Sequence, residues 1–167
     1  LSKFVKFLEK YIFKKAKYFA SPSRSLISKI KKQTKINGQI TIQPYPLKIE
    51  DIPHKLKYSD NFSAKKPFKI LVAGRLEERK GQDVACKAFN LLSKKYPIKL
   101  VFAGSDTVFK NGKTFKSILI KLLNPQAVKN TDFLGHIQRS SFDKMYPSFD
   151  CYIMSSRFES LGFVVLE

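Results

Sequence analysis

Apolar residues recur at helical spacing through the first twenty positions. Leu1, Phe4, Val5, Leu8, Ile12, Ala16 and Phe19 share one face, while Lys3, Lys6, Lys10, Lys14 and Lys17 fall mostly away from it. The pattern predicts a basic amphipathic helix over residues 1–20, whose apolar face is expected to pack on a sheet; the alternative is a helix lying on an anionic membrane surface. A second helix is expected in SPSRSLISKIKKQ, with Ser21 as N-cap, Pro22 at the first helical position, and Leu26, Ile27 and Ile30 on one side. Asn37 and Gly38 mark a turn, and residues 39–43 read as a short strand that Pro44 and Pro46 end.

Between Pro44 and Lys66 the periodicity is lost among three prolines and a Ser-Asp-Asn cluster, as in a linker. From there on the pattern alternates. FKILVAG at 68–74 and IKLVFAG at 98–104 are β-rich runs ending in glycine, TDFLG at 131–135 is a third strand, and CYIMSS at 151–156 a fourth. The segments between them, GQDVACKAFNLLSKKY, TFKSILIKLL and SSFDKMYPSF, read as helices, the first with Val84, Ala88, Leu91 and Leu92 inward. Strands alternating with helices predict an α/β fold with a parallel sheet, which binds ligands at the carboxyl ends of its strands. The expected organisation is the end of one domain at 1–46, a linker at 47–66, and a second, incomplete domain at 67–167.

Composition agrees with a folded chain: 43% of its 167 residues are hydrophobic, fifteen of them Phe. Its formal charge of +19 is extreme for this length and is denser before residue 67, where sixteen Lys and Arg face four Asp and Glu. Such charge attracts phosphorylated ligands, anionic lipid or nucleic acid. Lys outnumbers Arg and no RNA-type stacking motif is present, so sequence-specific nucleic-acid reading is not expected. Cys86 and Cys151 fall in expected core elements, and two unpaired thiols fit a reducing compartment. The sequence contains no apolar run long enough to span a bilayer, and its start lacks the pattern of a signal peptide. A first residue Leu1, and a last residue Glu167 inside an apolar run, suggest a fragment.

The candidate chemistry gathers where the expected strands end. Gly74 and Arg75 follow the first strand, Gly104 and Ser105 the second, Gly135 and His136 the third, and residues 156–162 the fourth. In GRLEERKG, Gly74 allows close approach of a ligand, Arg75 offers a planar fork to a phosphate, and Lys80 a point charge. Two fixed cations would stabilise charge on a departing diphosphate without a metal. The plainer alternative is that Arg75, Arg79 and Lys80 balance Glu77 and Glu78 on a solvated loop. In SSRFESLGFVVLE, Glu159 and Glu167 flank a Ser-Leu-Gly turn whose backbone N–H groups, if Gly162 opens a helix, suit a phosphate. Carboxylates serve hydroxyls better than phosphates, so the implied ligand has phosphate in the middle and hydroxyls on both sides: a nucleotide diphosphate sugar. Here too a plainer alternative stands, with Glu159 a surface acid and Glu167 a helix cap.

Taken together, GRLEERKG, LVFAGS, TDFLGHI and FDCYIMSSRFESLGFVVLE resemble the C-terminal domain of retaining glycosyltransferases of family 4. The resemblance covers residues 67–167, and ASPS and ITIQPYP are similar to the end of that family's N-terminal, acceptor-binding domain. It implies an α/β fold of GT-B type: two Rossmann-like domains, each a parallel sheet with helices on both faces, here truncated at the C-terminus. It also implies transfer of a sugar from UDP or GDP to a glycan or lipid-linked acceptor, with retention and with no metal or other cofactor. Cell-surface polysaccharide or lipopolysaccharide assembly is the expected setting, in the cytoplasm or peripherally on the inner face of the plasma membrane.

By the same resemblance Arg75 and Lys80 hold the donor diphosphate beside Gly74, and Glu159 orients the transferred sugar. Glu167 takes the ribose hydroxyls, Ser160, Leu161 and Gly162 meet the phosphates, and His136 and Ile137 lie near the base. Glu159, Arg75 and Lys80 are the expected catalytic residues. Ser155 stands where Pro is common and Leu161 where Phe is common; neither removes a functional group. With most of an acceptor domain missing, the chain alone is expected to be inactive. The competing reading is a non-catalytic basic module or decayed copy that binds anionic lipid or nucleic acid by charge.

Overall fold

Helix α1 (Lys3–Lys15) ends three residues before Tyr18, and the chain turns there into strand β1 (Tyr18–Ser21). The helix expected over 1–20 is therefore shorter, because residues 18–21 are drawn into parallel pairing with β2 (Gln39–Ile42), from Tyr18 opposite Gln39 to Ser21 opposite Ile42. Gly38 makes the approach: a Cβ there would stand 2.5 Å from the Ala16 carbonyl oxygen and 2.7 Å from that of Lys17, which accepts the Gln39 N–H. Between the strands lies α2 (Arg24–Gln33), capped by Ser23, whose Oγ accepts from Leu26 N, and not by Ser21, which is buried in the strand. Ile27 is the buried residue of α2. The apolar face of α1 was expected to be covered, yet its Phe4, Val5, Leu8 and Ile12 are exposed, as are Phe7 and Tyr11 beside it; Phe13 is half-buried and stacks on Phe19.

The structure is a computed structural model and describes residues 3–44, 63 and 65–159. These divide into two compact units, 3–44 with Glu159 and the segment from 63 to Phe158. The expected linker at 47–66 lies almost wholly outside the described residues.

The second unit runs β3 (Phe68–Ala73), a 3-10 turn (Glu78–Lys80), α3 (Gln82–Leu92), β4 (Ile98–Ala103), α4 (Phe115–Leu122) and α5 (Pro125–Lys129). It continues through β5 (Thr131–Phe133), α6 (Arg139–Met145), a second 3-10 turn (Tyr146–Ser148) and β6 (Cys151–Tyr152). Its four strands are all parallel, in the order β5-β4-β3-β6. Period-two alternation sends Ile70, Val72, Leu100 and Phe102 to one face, against Ala85, Cys86, Phe89, Phe115, Leu119 and Ala127 of α3, α4 and α5. Leu71, Val101 and Ala103 point to the other, against Phe142, Met145, Tyr146 and Phe149 of α6 and the turn after it. Helices thus cover both faces.

The buried stripe of α3 is Gln82, Ala85, Cys86 and Phe89. Val84, Leu91 and Leu92, expected inside, are exposed, as is Ala88. The i, i+3, i+4, i+7 spacing fits either stripe. Gln82 selects the observed one, because its amide is needed by the backbone of the preceding loop. The short α5 was not expected from the sequence; Asn124 caps it, with Pro125 in its first turn, and Asn90 ties it to α3 by accepting from Asn124 N at 2.9 Å.

Candidate functional site

From β3 the chain adds β4 and then β5 on one side, and returns to place β6 on the other side of β3. The strand order therefore reverses between β3 and β6, and open α/β sheets bind ligands beside such a reversal, at the carboxyl ends of their strands. The segments at those two strand ends are residues 74–81, singled out in the sequence, and 153–158, which enter the second segment singled out there, 155–167.

The first loop is held by hydrogen bonds to the end of β4 and to the loop after it. Gly74 N donates to Ala103 O at 2.8 Å and Leu76 N to Ser105 O at 2.9 Å, with Leu76 buried. Gly104 must be glycine here, since a Cβ would collide with the Gly74 carbonyl oxygen. Gln82 braces the loop from the helix side: its Nε2 donates to Arg75 O at 2.8 Å and its Oε1 accepts from Glu77 N at 3.3 Å. Gly74 has φ +127°, and the Lys80 side chain passes close by: a Cβ on Gly74 would lie 3.7 to 3.9 Å from its Cε, Cδ and Nζ. Arg75 is exposed and Lys80 half-buried.

The second loop is bound to the first. Ser155 Oγ donates to Lys80 O at 3.1 Å, and Arg157 N to Arg79 O at 2.9 Å. Arg157 Nη1 donates to Glu78 O at 2.6 Å, and its guanidinium takes both Asp83 carboxylate oxygens at 2.7 and 2.6 Å. That hydrogen-bonded guanidinium holds the Asp83 carboxyl below its ordinary value, against the opposing effect of burial, and Asp83 raises Arg157 in return. Arg79 donates to Phe158 O at 3.0 Å and pairs with Glu77 at 2.8 Å. The charge-balancing reading thus holds for Arg79.

Of the expected site residues, Gly74, Arg75 and Lys80 come together in one loop. His136 is exposed beyond Gly135, whose carbonyl accepts from Gly104 N at 2.7 Å, while Ile137 packs with Leu71, Val101 and Ala103. Glu159 is half-buried and is the last described residue. Ser160, Leu161, Gly162 and Glu167 lie outside the described residues, so the paired-carboxylate geometry is not on view. Asp83, Gln82 and Arg157 were not anticipated in these roles. The opposite charges of Asp83 and Arg157 were visible, but nothing in the spacing joins residues 74 positions apart.

The sequence pattern of glycosyl transferases group 1 matches residues 55–167, more than half of the chain. The chain belongs to this family. Among curated relatives, an uncharacterized glycosyltransferase of Methanocaldococcus jannaschii is 28% identical over 139 residues, which is 83% of this chain and 32% of that protein. This group 1 chain therefore spans about a third of that relative's length. Sucrose-phosphate synthase from Thermosynechococcus elongatus superposes with a TM-score of 0.69 at 19% identity, over 98% of this chain and 41% of that one. A mutant of S. aureus TarM, in complex with fondaparinux, alpha-GlcNAc-glycerol and UDP, gives 0.68 at 16% identity, over 98% and 30%. The fold of this group 1 chain is α/β of GT-B type.

Proposed function

We propose that this chain is the donor-binding part of a retaining glycosyltransferase of family 4, which moves a sugar from a UDP- or GDP-sugar to a glycan or lipid-linked acceptor. The observation that carries the reading is the placement of Gly74, Arg75 and Lys80 in the loop at the β3/β6 reversal, tied to the turn that leads into Glu159. Family membership supports the reaction class, and the UDP bound to TarM supports the donor class.

In this mechanism the bond from the anomeric carbon to the diphosphate oxygen breaks, and charge grows on the leaving phosphate. Arg75 and Lys80 would meet that charge, Arg75 through its planar fork and Lys80 as a point charge, so that no metal is required. Glu159 would hold hydroxyls of the transferred sugar, Glu167 those of the ribose, and backbone at residues 160–162 the phosphates. His136 and Ile137 would flank the base. The acceptor hydroxyl then bonds to the anomeric carbon on the face the diphosphate left, and its proton passes to the departing diphosphate oxygen.

A lipid-linked acceptor fits the first unit, where α1 exposes Phe4, Phe7, Leu8, Tyr11 and Ile12 beside five lysines. Such a helix is attracted to anionic lipid from the cytoplasmic side, which would place the protein peripherally on the inner face of the plasma membrane, in polysaccharide or lipopolysaccharide assembly. The test is sugar transfer by the whole gene product, with the product's anomeric configuration read by proton NMR. Retention supports the proposal. Inversion, or hydrolysis and transfer both missing with every UDP- and GDP-sugar, overturns it.

A further inference from the structure

The 3-10 turn Glu78–Lys80 ends in three successive carbonyls, and each accepts a hydrogen bond from the turn at 155–157. Glu78 O accepts from Arg157 Nη1, Arg79 O from Arg157 N, and Lys80 O from Ser155 Oγ. Glu78 O also accepts from Gly81 N at 3.1 Å, the bond that closes the 3-10 turn, so the 155–157 segment adds its bonds to that turn from outside. A shift of either segment by one residue would break all three bonds at once. The position of the Lys80 backbone is thus set by a segment 75 residues away.

We propose that Arg157 and Asp83 are positioning residues, whose bidentate ion pair fastens the turn leading into Glu159 onto the loop that carries Lys80. Arg157 is suited to this as Lys would not be, because one planar guanidinium reaches both Asp83 oxygens and the Glu78 carbonyl together. The fastening is reciprocal: Arg79 reaches back to the carbonyl of Phe158, the residue before Glu159. Asp83 sits in the first turn of α3, a rigid element packed on the sheet through Ala85, Cys86 and Phe89, so the turn is referenced to the core. With Arg157 about half exposed, the pair adds little to global stability, and its removal should be read in the geometry of the site.

The inference rests on the donor-binding reading above, and the test separates the two. UDP and GDP are titrated calorimetrically into the full chain, into Lys80→Ala, and into Asp83→Asn, Arg157→Gln, Arg157→Lys and the double variant Asp83→Asn/Arg157→Gln, with the melting temperature of each. Lys80→Ala should lose nucleotide binding. Each of Asp83→Asn and Arg157→Gln should weaken binding by about tenfold, and the double variant no more than the worse single one, since the two act as a unit. Arg157→Lys should not restore binding, and melting temperatures should stay close to that of the unaltered chain. If Arg157→Gln fails to fold, Asp83→Asn, which has the same shape without the charge, decides alone. Unaltered affinity in Asp83→Asn, or full affinity in Arg157→Lys, overturns the positioning role while leaving donor binding intact. An unaltered chain that binds neither nucleotide overturns both.

Discussion

A Cβ on Gly81 would run into the carbonyl oxygen of Ser155. Gly81 also has φ +65° and ψ 21°, the left-handed conformation that closes the 3-10 turn and opens α3. Both facts bear on Gly81→Ala, which meets backbone strain and must push the 155–157 turn away. The expected loss is about 2 kcal/mol of unfolding free energy, measured by urea denaturation with the slope of the transition unchanged. An Ala variant as stable as the unaltered chain would mean that the two loops are not in this close contact.

Gln82 is a fully buried amide whose bonds go to the backbone of the Arg75 loop. Gln82→Leu keeps much of the volume but leaves the Arg75 carbonyl and the Glu77 N–H without their partner. Denaturant melts should show destabilisation of about 2 kcal/mol, and nucleotide affinity should fall with it. Loss of stability with affinity unaltered would detach the Arg75 loop from the donor site.

Much of this architecture was legible in the sequence. The four β-rich runs of the second unit appear as strands β3 to β6: the buried β3 and β4 announce themselves by composition and length, whereas the half-buried β5 and β6 are shorter than the expected 131–135 and 151–156, at three and two residues. Two things were not legible. Helix periodicity cannot choose between two stripes of α3 when one includes a polar residue, and Gln82 is inside only because of where its hydrogen bonds go. Nor could the pattern show that residues 18–21 leave the helix to pair with 39–42, since that gain lies in the partner strand. The loop cations were identified by their residue types, whereas Asp83 with Arg157 is a pairing that only the parallel β3/β6 contact brings about.

The thiols give a chemical check on the core. Burial pushes the Cys86 thiol up to about 12, while Cys151 is half-buried, and both are free. Since the thiolate is the reactive form, Cys86 should resist a thiol reagent at pH 8 until the protein is denatured, when both cysteines react. Rapid labelling of Cys86 in the native chain, located by peptide mass, would contradict the packing of α3 on the sheet.

Asp83 predicts a pH dependence with a definite sign. Its folded-state value is depressed, so its contribution to stability is present above the unfolded value of about 3.9 and is lost as pH falls through the folded value. The melting temperature of the unaltered chain should exceed that of Asp83→Asn only slightly at pH 6, as suits a half-exposed pair, and this small gap should narrow as the pH falls below about 4. A gap that widens on acidification would contradict the ion pair.

The central claim is tested most directly by titrating UDP and GDP into this chain at about 0.3 M salt, where screening within ~6 Å leaves little non-specific attraction. Saturable binding of one of the two at a single site, abolished in Lys80→Ala, is the expected result. Binding of neither, or equal binding by Lys80→Ala, with salt-sensitive association to anionic vesicles or nucleic acid as the main activity, would contradict the account and favour a module that acts by charge alone.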